Sequence, residues 1–239
     1  MDPAPPGRPD GAGPGDGMPT LADRLHATLP QTQCTRCGYP DCRAYAEAMA
    51  ADAAAINRCP PGGAEGIARL AAVVGLPAGT PVPVLDAACG VEGERQVAWI
   101  DEAWCIGCTL CIKACPADCI VGASKAMHTV IEPLCTGCEL CLPACPVDCI
   151  HLESVTPGRT GWQAWSEVDA AQALQRYGQR QARLAREAQA HAERMQAQAE
   201  HKLEHLAELT KQGDEPEERE RKRRVIEAAL ARARAQRGA

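Results

Sequence analysis

Phenylalanine is missing from all 239 residues, and only three tyrosines and four tryptophans stand in for it. Alanine is abundant instead, so the chain has little bulky apolar surface with which to build an ordinary core, and bound cofactors and long helices are expected to supply the order. No run of 18 or more apolar residues occurs, which leaves no candidate for a membrane-spanning helix. The start has neither the basic n-region nor the apolar h-region of a secretory signal. A Gly-rich dinucleotide fingerprint, a nucleophile–base pair and a paired-carboxylate site are also lacking, so no catalytic residues are expected. Fifteen cysteines are present. In a chain expected to be cytoplasmic, that load points to reduced thiols ligating metal, not to a disulfide framework.

The cysteines fall into a pattern. Residues 105–120 and 135–150 are two copies of one motif at an offset of thirty, identical at eleven of sixteen positions. Each copy carries the C-x2-C-x2-C-x3-C-P run that holds [4Fe–4S] cubanes. Three thiolates in a tight loop reach three iron corners, and in two-cluster arrangements the cysteine before proline serves the other cluster. The expected ligands are therefore Cys105, Cys108, Cys111 and Cys145 for one cluster, and Cys135, Cys138, Cys141 and Cys115 for its twin. A pair of zinc sites is the alternative, but three close cysteines plus C-P overfill a tetrahedral zinc. Residues ~97–152 resemble a bacterial two-cluster ferredoxin, which implies a βαββαβ unit.

Nearer the start, Cys34, Cys37, Cys42 and Cys59 form one further ligand set, spaced x2, x4 and x16. Four thiolates suit zinc and [4Fe–4S] alike, so spacing leaves the metal open. The surrounding phrases, LPQTQC-TRCGYPDC…CPPGG and then VAWIDEAWCIGCTLCIKACPADCIVGASKAMHTVI, resemble the B subunit of the Rnf/Rsx electron transport complex from about Leu21 to Leu152. That resemblance implies a third [4Fe–4S] cluster on the four front cysteines. It also implies a relay between a low-potential donor and an acceptor, including membrane electron-transport subunits. Members of that family carry an N-terminal membrane helix, whereas this chain has a Pro/Gly stretch there. The expectation is thus a soluble carrier, or one peripheral on the cytoplasmic face of the inner membrane.

The expected fold class is α+β. Residues 1–19 are expected to be disordered, being almost devoid of apolar side chains. Residues 20–76 form a small helical cluster module, with Thr20 capping a first helix (Asp23 at N3) and further helices over about 43–56 and 64–74. A Pro/Gly linker (77–95) and the ferredoxin domain (96–153) follow, the latter opening on a strand in which Val97, Trp99 and Asp101 alternate with Ala98 and Ile100. A second linker (154–165) leads to a helical tail (166–239), capped by Ser166, interrupted at Gly213 and resumed at Pro216. The tail's stripe of Leu184, Ala188, Ala192, Met195, Ala199, Leu203 and Leu206 suits either a solvated helix or docking and self-association.

Outside the ligand sets, Cys89 is expected to be a surface or half-buried thiol, Cys119 and Cys149 small packing residues beside the clusters, and Lys125 and His128 parts of a solvated loop. Eighteen acidic and ten basic residues precede position 166, against thirteen and fifteen after it. An acidic front body suits basic redox partners and is unsuited to nucleic acid. A zinc-binding interaction protein and a cluster-based redox sensor are the alternative functions.

Overall fold

The computed structural model describes residues 18–77, 79–206 and 216–237. The stretch expected to be disordered lies outside them except for Met18 and Pro19, as does Gly213. The chain divides into two compact units after Tyr177.

The first unit opens with α1 (Leu21–Thr28). Its start is a reciprocal capping box: Thr20 Oγ1 accepts from Asp23 N at 3.2 Å and Thr20 N donates to Asp23 Oδ2 at 2.9 Å. Helix α2 (Cys42–Ala50) is capped by Asp41 and ends earlier than its alanine-rich sequence suggests. Asp52 takes a left-handed conformation, and the amides of Asp52 and Ala53 fold back onto Met49 O and Ala48 O. That Schellman arrangement closes the helix, and a short polar residue tolerates the positive φ it demands. Helix α3 (Gly63–Val74) completes the front bundle. Leu25, Leu29, Tyr45, Ala46, Met49 and Leu70 pack there with Cys37 and Cys59.

The ferredoxin half is two antiparallel pairs. Strand β1 (Gln96–Ile100) pairs with β4 (Ile150–Ser154), Ala98 facing Leu152, and β2 (Ile120–Val121) pairs with β3 (Thr129–Val130). Burial along β1 does not strictly alternate, because Val97 and Ala98 are both buried while Trp99 is 45 % exposed. Half of the buried core here is cysteine: Cys111, Cys115, Cys119, Cys135, Cys141 and Cys149 pack with Val97, Ala98, Ile100, Ala117, Ile120 and Ile150.

The expected βαββαβ order needs one correction. Helix α4 (Leu110–Ala114) forms in the first copy, but the equivalent residues 140–144 of the second are turns. Lys113 N donates to Thr109 O at 3.2 Å in the first copy, and the aligned residue in the second is Pro143, which has no amide hydrogen to give. The second copy instead uses three-residue bonds, Leu142 N to Glu139 O and Cys145 N to Leu142 O, both at 3.1 Å.

Helices α5 (Gly161–Ala164) and α6 (Glu167–Glu204) follow. Ser166 caps α6, its Oγ accepting from Asp169 N at 3.1 Å. Within the first unit, Arg176 on α6 donates from Nε to Ala117 O at 3.0 Å, and Tyr177 Oη lies 3.2 Å from Asp41 Oδ2.

The second unit holds the rest of α6 and α7 (Pro216–Arg237). Arg234 Nη2 donates to Glu200 Oε1 at 3.0 Å, and Leu230 is buried. The apolar stripe expected along the tail is only half-covered at Leu184, Ala199 and Leu203 of α6 and at Leu206 just beyond it, and Ala188, Ala192 and Met195 are exposed. The basic run on α7 is matched by glutamates: Lys222 lies 3.3 Å from Glu218, Arg223 3.2 Å from Glu227 and Arg224 3.5 Å from Glu220.

Candidate iron–sulfur sites

All fifteen cysteines are free thiols, and those of the expected ligand sets gather in three places. Cys105, Cys108, Cys111 and Cys145 line one enclosed pocket with Ile100, Ile106, Val147, Cys149, Ile150 and His128. The fourth thiol is thus donated across the duplication. In the mirror arrangement, Cys135, Cys138, Cys141 and Cys115 lie within one another's electrostatic reach. At the front, Cys59 is surrounded by Cys42, Cys34 and Cys37.

The backbone explains how such short loops bring sulfurs together. Gly107 and Gly137 share a φ of +68°, and Thr109 and Glu139 share one of +64°. A Cβ on Gly107 would stand 2.6 Å from Ala126 N, and one on Gly137 would stand 2.5 Å from Gln96 O. Only glycine fits there, since both the conformation and the approach of the neighbouring chain exclude a side chain.

The front site is built differently. Gln31 and Gln33 are buried and take positive φ values of 58° and 55°. Gln33 Oε1 accepts from Cys42 N at 2.9 Å, and Gln33 Nε2 donates to Gln31 Oε1 at 3.1 Å. Tyr45 Oη donates to Ala55 O at 2.7 Å and accepts from Arg58 N at 3.1 Å, holding the chain before Cys59. Cysteine spacing gives no hint of either glutamine, although both stand in the LPQTQC phrase.

The donor chemistry fits thiolate-bound clusters. Backbone amides are directed at the sulfurs, those of Tyr39 at Cys37, Gly62 at Cys59, Ala98 and Gly137 at Cys135 and Leu140 at Cys138. Amide donors of this kind favour a charged sulfur. Among the described residues no three His, Cys, Asp or Glu side chains are drawn together as ligands of a single ion. The first set borders a small pocket of its own.

Electrostatics divides the thiols. Burial pushes Cys42, Cys138 and Cys141 up to about 12 and Cys59 well above its ordinary range. Cys119 lies 3.4 Å from Cys115 Sγ, and its hydrogen bonding holds both Cys115 and Cys135 down to about 6 while its own thiol is pushed far up. Cys149 repeats the arrangement 3.5 Å from Cys145. These two residues are buried beside the sites as packing requires, and each also sets a polar S–H against ligand-set sulfurs.

A pH dependence follows for the metal-free chain. A thiol whose folded pKa is raised stays neutral at no cost below its unfolded value near 9, and opposes folding as pH climbs from there towards 12. The urea midpoint of the metal-free protein is therefore expected to rise between about pH 6 and 9, where the lowered Cys115 and Cys135 thiols ionise in the folded chain first, and to fall above about pH 9 as the raised thiols oppose folding. A midpoint unchanged to pH 11 would contradict the burial of Cys42 and Cys59.

Two expectations are corrected by burial. Cys89 is neither surface nor half-buried, being 6 % exposed, with Sγ 3.9 Å from Asp86 Oδ2. His128 does not belong to a solvated loop: it is 1 % exposed, with Nδ1 3.3 Å from Cys111 Sγ. Lys125, three residues earlier, is exposed as expected. Arg95 falls in the stretch expected to be linker, yet it donates to Cys135 O at 2.7 Å and stacks on Trp165, its guanidinium carbon 4.8 Å from the ring.

Two paired sheets around a cysteine core, with thiols exchanged between the copies of a duplication, define a two-cluster iron–sulfur protein. Residues 98–152 match the 4Fe-4S dicluster domain family and residues 29–61 a putative Fe-S cluster family. The B subunit of the ion-translocating oxidoreductase complex of Thiobacillus denitrificans is 56 % identical over 114 residues, 48 % of this chain and 58 % of the relative. Its counterpart in Alkalilimnicola ehrlichii is 53 % identical over 114 residues, 48 % of this chain and 59 % of the relative. That of Pectobacterium carotovorum subsp. carotovorum is 50 % identical over 142 residues, 59 % of this chain and 72 % of the relative. The chain belongs to this family, the B subunits of ion-translocating oxidoreductase complexes. It spans somewhat over half the length of the first two of these relatives.

Proposed function

We propose that this protein relays single electrons through three [4Fe–4S] clusters. The holders would be Cys34, Cys37, Cys42 and Cys59; Cys105, Cys108, Cys111 and Cys145; and Cys135, Cys138, Cys141 and Cys115. The observation that carries this reading is the pocket that gathers Cys145 with the three thiols of the other copy. Such clusters, when bound, supply reversible one-electron transfer at potentials set by charge, hydrogen bonding and burial. The domain partition follows: a single-cluster module over 20–76, a two-cluster domain over 96–153 and a helical tail from 166.

Contacts between the front loop and the second Cys run support an order for the relay. Thr136 Oγ1, between Cys135 and Cys138, donates to Thr32 O at 3.1 Å in a buried contact. Arg36, between Cys34 and Cys37, pairs with Glu139, between Cys138 and Cys141. Trp165 Nε1 donates to Pro30 O at 2.8 Å, and Arg95 joins Trp165 to Cys135 O. The front site is thus the neighbour of the Cys135 site. Electrons would pass from one to the other, and the Cys105 site would form the far end.

The partners would be redox proteins, a low-potential donor and an acceptor within an assembly of the kind the relatives' name describes. The acidic front body would steer towards basic faces on them. Among the described residues no helix is long and apolar enough to cross a membrane. The proposed location is the cytoplasmic face of the inner membrane, held peripherally.

The test is anaerobic purification of the full chain, followed by assay of iron, sulfide and zinc. About twelve irons and twelve sulfides per chain, with a visible band bleached by dithionite, are expected for three cubanes. About eight irons with one zinc would make the front module structural. Zinc alone would sink the electron-carrier reading.

A further inference from the structure

The two halves of the duplication bury different polar side chains: Thr136 stands where the first copy has exposed Ile106, and His128 where it has Ala98. His128 leads into the second Cys run as Ala98, thirty residues earlier, leads into the first. Each sits against a cysteine of the opposite copy. Ala98 is buried and offers Cys135 only its backbone amide. His128 offers Cys111 an imidazole nitrogen at 3.3 Å and faces the pocket lined by Cys105, Cys108, Cys111 and Cys145.

The imidazole is held in place. A Cβ on Gly122 would overlap His128 Cδ2, so the glycine opposite β3 leaves the space that the ring fills. Nε2 is buried with no hydrogen-bond partner. A cluster-bound thiolate has no proton to share, so the hydrogen in the contact must come from Nδ1.

Resting on the cluster reading above, we infer that His128 is a positioning residue for the Cys105/Cys108/Cys111/Cys145 cluster. Its Nδ1–H donates to Cys111 Sγ and makes that cluster easier to reduce than it would be without the imidazole. The physical cause is that reduction adds negative charge to the cluster and its thiolates. A hydrogen bond to a charged acceptor strengthens with that charge, stabilising the reduced form more than the oxidised one. The twin has a methyl group at the matching position, Ala98, and the side-chain donor beside its sulfurs is the Thr136 hydroxyl at Cys138.

The test is an anaerobic redox titration of the full chain followed by electron paramagnetic resonance, for the parent, His128→Leu and His128→Asn. Asparagine can present an N–H where Nδ1 stands, and leucine cannot. One midpoint potential is expected to fall in His128→Leu, by an amount equivalent to about a tenfold loss of reduced cluster at fixed potential, or about 59 mV for one electron. The other potentials should hold, and His128→Asn should recover most of the shift. Nitrogen NMR of the parent should report a ring protonated at Nδ1. Full iron content with unchanged potentials in His128→Leu, or a ring protonated at Nε2 alone, would overturn the inference while leaving the cluster reading intact. A parent chain without iron overturns both. Should His128→Leu lose iron, His128→Asn decides: a potential within error of the parent supports the donor, and loss of iron there too shows a packing role only.

Discussion

Replacing Cys115 with alanine is expected to remove the cluster of the other Cys run and spare that of its own. Cys115 is buried within reach of Cys135, Cys138 and Cys141, whereas the pocket of Cys105, Cys108 and Cys111 is completed by Cys145. Iron should fall by about four atoms per chain, the content of one cubane. The identity of the lost cluster is the informative part. The spectrum left by Cys115→Ala should match that left by Cys138→Ala and differ from that left by Cys105→Ala. A match to Cys105→Ala would mean that each copy closes its own site, and the crossed assignment would fall.

Trp165→Ala should be the most destabilising change outside the thiols, costing about 3–5 kcal/mol. The indole is 6 % exposed, donates to Pro30 O at 2.8 Å and stacks under Arg95. Its loss leaves a cavity beside Ala170 and Ala173, an unmet carbonyl at the end of the front helix and a guanidinium without its platform. Trp165→Phe keeps much of the packing and loses the hydrogen bond, so about 1 kcal/mol is expected. Denaturant unfolding monitored by circular dichroism would measure both. A change within about 0.5 kcal/mol for Trp165→Ala would show that Trp165 does not tie the front loop to the Cys135 region.

The cysteine groupings proposed as ligand sets were legible because cluster chemistry demands fixed residue types at fixed spacing. Three thiols separated by two residues, followed by C-P, leave few other uses. The capping residues Thr20 and Ser166 were legible for the same reason, since a helix start exposes amides that a nearby hydroxyl or carboxylate can meet. The missing second helix of the ferredoxin half was also written in the chain, as Pro143 opposite Lys113, but duplication suggested symmetry and hid it.

His128, Cys89, Gln31, Gln33 and Arg95 were not legible. Each gains its role from tertiary neighbours: Cys111 for His128, Asp86 and Arg58 for Cys89, Cys42 for Gln33, Cys135 and Trp165 for Arg95. A polar side chain in a loop is solvated unless tertiary packing encloses it, and enclosure is a property of the assembled surface.

Taken alone, then, the chain determined its donor atoms, the duplication and the starts of its helices, because these depend on local spacing and local backbone needs. Tertiary structure decided which site lies beside the front module and which buried side chain touches a ligand-set sulfur. Those outcomes depend on how two similar loops pack face to face, and identical local sequences carry no record of which neighbour each will meet.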